Sequence, residues 1–149
     1  MLKPLLDRLP APQRKLWTEL SEVLHGFVLY GGRVQDPESA EGPGILVASL
    51  LDLAATKVKV VQDRAEAKDY QDVYRLLDEV DLAQALAAAR AVYGPTFNPL
   101  LSLKALSYFR DGDLPSLSEA VRSRLFAAVR DVDLGRLPDV HPLPGGLLP

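Results

Sequence analysis

The sequence predicts an α+β fold that is mostly α-helical, with one to three short strands packed on a helical bundle. Helical periodicity, with recognisable starts and stops, fills the chain from Leu50 onward. An apolar run of strand length, residues 27–30, ends in two glycines, and a second short run covers residues 45–47. The intervening residues 33–44 are rich in proline, glycine and acidic residues, which predicts a loop.

The composition limits the possible functions. At 149 residues and a net charge of −3, the chain has the size of one ordinary domain and no overall attraction for nucleic acid. It has no cysteine and only two histidines, which excludes disulfides, thiol nucleophiles and a histidine metal site. No apolar stretch approaches the roughly 20 residues of a membrane helix, and the N-terminus lacks a signal-peptide pattern. These features predict a cytoplasmic protein with no membrane partner.

The elements are predicted in order from their boundaries. A helix follows Pro12 and ends at Gly26, and Ser49 is the N-cap of a helix from Leu50 to about residue 62. Further helical segments cover residues 65–79, 81–94 (capped by Asp81, ended by Gly94), 97–109 (capped by Asn98, with Pro99 first) and 116–132. By spacing, Trp17, Phe109 and Phe126 are core residues. One domain is predicted over residues 1–136, divided after residue 49, with an extended tail from 137 to 149.

Lys57 lies at an unusual place on the helix that begins at Leu50. At about 100° per residue, Leu50, Ala54, Val58 and Val61 form the apolar side, and Asp52, Thr56, Lys59 and Asp63 form the polar side. Lys57 falls on the apolar side, toward its edge. Its ammonium either reaches solvent along the stem or points into a pocket, and on this helix alone the first alternative is favoured.

Two carboxylates, Asp69 and Asp72, flank the apolar stripe of the next helix. Carboxylates at a core boundary are costly unless they are paired or bound to a cation. One interpretation is an ion-pair lattice that holds two helices together, using the nearby Lys57, Arg64 and Lys68. The other is a cationic phosphate clamp with an acidic residue that acts as a base. The residues alone modestly favour the lattice.

Three stretches together resemble the nucleotidyl transferase AbiEii/AbiGii toxin family: "FVLYGG", "VASLLDLAATKVKVVQDRAEAKDYQDVYRLL" and "YGPTFNPLLSLKALSYFRDGD". The resemblance covers about residues 2–130 in the family's own order. It implies a polymerase-beta-like nucleotidyltransferase fold, so that the short strands would be a remnant of a nucleotidyltransferase-type sheet. It also implies a toxin of a bacterial toxin–antitoxin system, which is neutralised by an antitoxin and transfers a nucleotide from an NTP to an acceptor such as tRNA.

The resemblance also implies site residues. Gly31 and Gly32 match the family's glycine turn, although Arg33 stands where the family has a hydroxyl residue. The implied nucleotide- or phosphate-binding residues are Gly31, Gly32, Arg64 and Lys68. The implied catalytic residues are Lys57, Asp69 and Asp72, of which Asp69 is the first candidate for activating the acceptor hydroxyl.

One motif of the family is missing. Family members carry a D-x-D acidic pair for the metal ions that bridge the triphosphate, so Mg²⁺ is the implied cofactor. Only twelve residues separate Gly32 from Ile45, too few for the helix and strand that present this pair. The one acidic pair there, Asp36 and Glu38, has a proline between its members, which argues against a central strand. No metal ligand is therefore assigned, and the chain resembles a family member with an internal deletion.

Three functions follow from these observations. The first is an AbiEii-type nucleotidyltransferase toxin whose transfer activity is weakened or absent, because the acidic motif is missing. The second is a catalytically dead helical module that binds or regulates, engaging an antitoxin or a full-length relative. The third is a helical domain with an ion-pair lattice and no activity.

Overall fold

A computed structural model describes residues 33–36, 38–39 and 46–143 of the chain. In these residues, strand β1 (Glu38–Ser39) pairs antiparallel with strand β2 (Leu46–Val47), so that Glu38 lies opposite Val47. Strand β2 confirms the strand that the apolar run at residues 45–47 predicts. Strand β1 corrects the prediction that residues 33–44 are entirely loop, because backbone N–H and C=O groups can pair in a ladder whatever the side chains are. The predicted N-terminal helix, the strand over residues 27–30 and Trp17 lie outside the described residues.

The described part of the chain is mostly helical, as predicted. Its five α-helices lie in one run from Leu50 to Asp131, separated by short turns and 3₁₀ segments. They are α1 (Leu50–Asp63), α2 (Ala67–Leu76), α3 (Leu82–Tyr93), α4 (Pro99–Ala105) and α5 (Glu119–Asp131). No helix of the described residues is long and apolar enough to cross a membrane.

Three of the predicted helix starts are confirmed by hydrogen bonds. The last helix is an exception, because it begins at Glu119 rather than at the predicted residue 116. The Ser49 hydroxyl accepts the backbone N–H of Asp52 at 3.1 Å, and the Asn98 side chain accepts that of Leu100 at 3.0 Å. A capping box at Asp81 starts α3, and Gly94 ends it with a φ of +57°. Residues that offer a side-chain acceptor or a positive φ therefore set these boundaries.

Helix α4 is shorter than the pattern predicts and ends at Ala105. The hydroxyl of Ser107 donates to the backbone carbonyls of Leu103 and Lys104, at 2.9 and 3.0 Å. A serine that bonds the preceding turn in this way competes with continuation of the helix. The chain therefore leaves α4 early, and Tyr108 lies on the surface.

Helix α1 lies at the centre of the core and packs against α2, α3 and α4. Four small alanines on the buried face of α3 let its backbone lie close to that of α1. Phe109 packs against the core and meets the ring of Tyr70 edge-on, as predicted. Phe126 was predicted to be in the core and is 53% exposed, because only Leu125 of α5 is fully buried.

Candidate functional site

Lys57 is buried, so the alternative favoured from its own helix, an ammonium that reaches solvent, is wrong. The predicted ion-pair lattice between the two helices is observed. Its Nζ lies 2.8 Å from Asp69 Oδ1 and 2.6 Å from Asp72 Oδ2, and its side chain is 3% exposed. The alternative, an ammonium that points inward, is the observed one. Periodicity on one helix missed it because α1 is covered on several sides, and Asp52 and Thr56 of its predicted polar side are buried too.

Arg64 extends this pairing toward the surface. As the C-cap of α1 it has an extended backbone, with a φ of −152°, which turns the chain toward α2. Its Nε donates to Asp69 Oδ2 at 2.7 Å and its Nη2 donates to Asp69 Oδ1 at 3.3 Å. The Arg64 side chain is 40% exposed, whereas that of Asp69 is fully buried. We call Lys57, Arg64, Asp69 and Asp72 the Lys57 network.

The two carboxyls of the Lys57 network have different proton affinities. Burial alone raises the pKa of both. At Asp69 this effect is outweighed by the guanidinium of Arg64 and the ammonium of Lys57, so its pKa is lowered. At Asp72 burial prevails over the bond from Lys57, and the negative charge of Asp69 adds to it, so its pKa is raised. Asp69 is therefore the firmly ionised member, and Asp72 is the one that more readily holds a proton.

Lys68 lies at the rim of the network rather than inside it. Its Nζ is 3.3 Å from Glu66 Oε2, and Glu66 Oε1 is 3.6 Å from Arg64 Nη1. Arg75 approaches Asp72 from the other side, at 3.7 Å. Four of the predicted site residues thus form one network, Lys68 borders it, and Gly31 and Gly32 lie outside the described residues.

Asp52 is a residue whose role was missed in the sequence. Its carboxylate accepts the backbone N–H groups of Val34 at 2.7 Å and Gln35 at 3.2 Å, and the hydroxyl of Ser49 at 2.8 Å. It therefore ties the segment that follows the glycine pair in sequence to the start of the lysine helix. The Ser-x-x-Asp spacing from Ser49 to Asp52 is the capping-box signal that marked its position, but not its long-range partners.

We expect Asp52→Ala to lower the free energy of unfolding by about 1–3 kcal/mol, because it leaves buried donors without an acceptor. Burial raises the pKa of Asp52, despite the bonds from Val34, Ser49 and Gln35. A raised pKa contributes stability that is present below the unfolded pKa and is lost as the pH rises through the folded value. The variant's deficit should therefore be larger at pH 4 than at pH 7.

Urea unfolding of both proteins at the two pH values measures this difference. Asp63→Ala is the matched control on the same helix, because the Asp63 side chain is 62% exposed and pairs with the lysine of the preceding turn, Lys59. Its expected effect is below about 1 kcal/mol. If both variants lose the same free energy of unfolding at pH 7, Asp52 does not anchor the segment of Val34 and Gln35.

The linker between α1 and α2 is held by the loop that follows α4. The carboxylate of Asp113 accepts the backbone N–H of Ala67, the first residue of α2, at 2.7 Å. Gly112, with a φ of +53°, lies directly against the backbone carbonyl of Ala65. This loop therefore fixes the linker that carries Arg64 to Asp69.

The described residues do not form a site for Mg²⁺. They contain no group of three histidine, cysteine or acidic side chains that could hold a metal ion. Asp69 and Asp72 are paired with cations, and Asp36, which is 86% exposed at its side chain, lies 3.7 Å from Arg33. The side chain of Glu38 is outside the described residues. No catalytic step is therefore derived through a metal ion.

Comparison with known proteins places this site in a family context. No curated protein and no solved structure matches the chain. One family model, described as nucleotidyl transferase AbiEii toxin of a type IV toxin–antitoxin system, matches residues 6–139. This match spans the Lys57 network and every described element. The chain belongs to the AbiEii nucleotidyl transferase toxin family of type IV toxin–antitoxin systems.

Proposed function

We propose that this protein is a cytoplasmic toxin that transfers a nucleotide from an NTP to a hydroxyl of an RNA acceptor such as tRNA, and that a cognate antitoxin neutralises it. The carrying observation is the Lys57 network, in which the lysine of one helix binds both carboxylates of the next in a chain of the AbiEii family. We further propose that residues 1–49 supply the glycine pair, Gly31 and Gly32, as phosphate-binding amides.

The cationic side chains of the site differ in how much of each is exposed to solvent. The side chains of Arg64 and Lys68 are 40% and 51% exposed, whereas that of Lys57 is 3% exposed. Arg64 and Lys68 are therefore the groups that an incoming triphosphate meets first. Lys57 balances the two buried carboxylates and holds them in place, since an unpaired buried charge is strongly unfavourable.

The transfer itself needs a proton acceptor. The acceptor hydroxyl oxygen forms a bond to the α-phosphorus, the bond from that phosphorus to the bridging oxygen breaks, and pyrophosphate leaves. The hydroxyl proton goes to a carboxylate. Asp72 is favoured over Asp69 for this role because both oxygens of Asp69 are bonded by Lys57 or Arg64, whereas Lys57 contacts Oδ2 of Asp72 and its Oδ1 lies 3.7 Å from Arg75. The pKa of Asp72, raised by burial, agrees with this choice. Asp69 then acts to orient Arg64.

Transfer of labelled NTP to tRNA, assayed with each NTP, tests the proposal. The assay includes Mg²⁺, the cofactor that membership of this family implies. We expect Asp72→Asn to lower transfer by about 10²–10⁴-fold, the usual effect of losing a general base. Lys68→Ala should reduce transfer and raise the KM for NTP, whereas Lys59→Ala, a lysine paired with Asp63 outside the network, should change neither.

Circular dichroism of each variant separates loss of chemistry from loss of fold. Transfer that is unaffected by Asp72→Asn would contradict the assignment of the base. Absence of transfer with every NTP, in protein that is folded by circular dichroism, would contradict the enzymatic proposal as a whole.

A second candidate function is favoured by the internal pairing of the site. Both oxygens of the Asp69 carboxylate are bonded by Lys57 or Arg64, so these charges already satisfy one another without a ligand. A module that keeps this fold and engages an antitoxin or a full-length relative without turnover would show the same pairing. Complex formation with the product of the neighbouring gene, together with no nucleotide transfer, would support this function.

A further inference from the structure

A surface depression adjoins the Lys57 network on the side of Arg64. It lies between the end of α1 and the segment after α4 and has a volume of about 230 Å³. Its lining includes Arg64, Tyr70, Tyr108 and Asp111. Because Arg64 belongs to both the depression and the network, a ligand that binds this guanidinium also meets the depression.

Several polar groups of the depression are already engaged. Gln62 Nε2 donates to the backbone carbonyl of Asn98 and to the hydroxyl of Ser102, both at 2.8 Å. The Asp63 carboxylate takes the ammonium of Lys59 at 2.8 and 2.9 Å. These groups shape the wall and hold it in place. They leave the recognition of a ligand to other residues.

Two groups of the depression remain available to a ligand. Tyr108 is 51% exposed and lines the same depression as Arg64. Among the described residues, no side chain donates a hydrogen bond to the Asp111 carboxylate. Asp111 lies close enough to Tyr70 that, after burial, it is the largest cause raising the pKa of that phenol to about 12. The depression thus offers a flat ring, a hydrogen-bond acceptor and a guanidinium.

We propose that this depression binds the nucleoside part of a ligand whose phosphates lie at Arg64, with the base stacked on Tyr108 and Asp111 accepting from a base N–H or a ribose hydroxyl. This inference rests on the proposed function and adds the residues that recognise the base. A volume of 230 Å³ is below the range of about 300–1,000 Å³ for whole small-molecule sites, so it suits the nucleoside part of a ligand rather than an entire nucleotide. Aromatic stacking accepts any base, because every base has a π-face.

The nucleoside could come from the NTP or from the end of the acceptor RNA, and calorimetric titration of the full chain distinguishes the two. The probes are each of the four NTPs, a short single-stranded RNA, and inorganic tripolyphosphate, which carries phosphates but no base. Tyr108→Ala should weaken binding of the base-bearing ligand about 10-fold and leave tripolyphosphate binding unchanged. Tyr108→Phe, which keeps the ring, should bind as the unaltered protein does. Phe126→Ala removes an equally exposed ring elsewhere, 53% exposed, and should have no effect.

The results separate this inference from the proposed function. If Arg64→Ala weakens NTP and tripolyphosphate binding while Tyr108→Ala changes neither NTP nor RNA binding, the nucleoside site is overturned and the phosphate site stands. Weakened NTP binding in Tyr108→Ala assigns the base to the NTP, and weakened RNA binding alone assigns it to the acceptor. If the unaltered protein binds none of the base-bearing probes, both proposals are overturned.

Discussion

Replacing Lys57 by methionine is expected to lower the free energy of unfolding by about 3–5 kcal/mol at pH 7, the effect of removing one partner of a buried ion pair. Methionine keeps the length and packing of the lysine stem. Among the described residues, the change leaves Asp69 with the guanidinium of Arg64 and Asp72 with the more distant guanidinium of Arg75, at 3.7 Å. The expected effect is large because both carboxylates are buried, at 0% and 6% side-chain exposure.

The deficit of Lys57→Met should shrink as the pH falls. Without the ammonium, the folded pKa of Asp72, which burial already raises in the unaltered protein, rises further. The folded variant then binds more protons than the unfolded chain in mildly acidic solution, so its stability increases as the pH falls toward the unfolded pKa values. Guanidinium unfolding at pH 7 and pH 5 measures this recovery.

Lys59→Met provides the matched control on the same helix. Lys59 pairs with Asp63 at 2.8 Å, nearly the same distance as in the buried pair, but the Asp63 side chain is 62% exposed. Exposed pairs of this kind contribute about 0–1 kcal/mol. Burial is therefore the difference between the two lysines. Similar losses for both variants would show that the Lys57 network does not depend on burial for its effect.

Local patterns were enough to predict the helices, and they were not enough to predict the geometry of the site. Ser49, Asp81 and Asn98 mark helix starts because a cap acts through residues that are adjacent in sequence. The periodicity of α1 alone misplaces the ammonium of Lys57, because its partners are 12 and 15 residues away on another helix. The carboxylates of that next helix are what favour the ion-pair lattice that the structure shows. The periodicity of one helix contains no information on how the next one packs against it.

The same limit explains two other differences. Asp52 was predicted to lie on a polar side, but its partners Val34 and Gln35 come from a segment 18 and 17 residues earlier. Phe126 was predicted to be in the core because α5 has apolar spacing, but too little of the described fold covers that face. The family motifs and the ion-pair interpretation both group the four residues that the structure brings together. Motifs of this kind identify residues that share a site, whereas periodicity identifies only those that share a face.

Gly112→Ala is expected to be the second most damaging change, because two separate effects add. The φ of +53° is strained for any residue with a Cβ, at about 1–2 kcal/mol. The added Cβ would also overlap the backbone carbonyl of Ala65, and such crowding adds about 1–3 kcal/mol. Gly94→Ala isolates the first effect, since Gly94 has a φ of +57° and no atom within 4 Å of an added Cβ.

Thermal and urea unfolding of the two glycine variants should therefore differ by the crowding contribution. The carbonyl of Ala65 cannot move away without displacing the linker that carries Arg64, so relief of the overlap would also loosen the bond from Ala67 N–H to Asp113. Hydrogen exchange at the Ala67 amide should accelerate in Gly112→Ala and stay unchanged in Gly94→Ala. If the two variants are equally stable and their Ala67 amides exchange equally slowly, the loop after α4 does not hold the linker. The position of Arg64 at Asp69 must then depend on the Lys57 network alone.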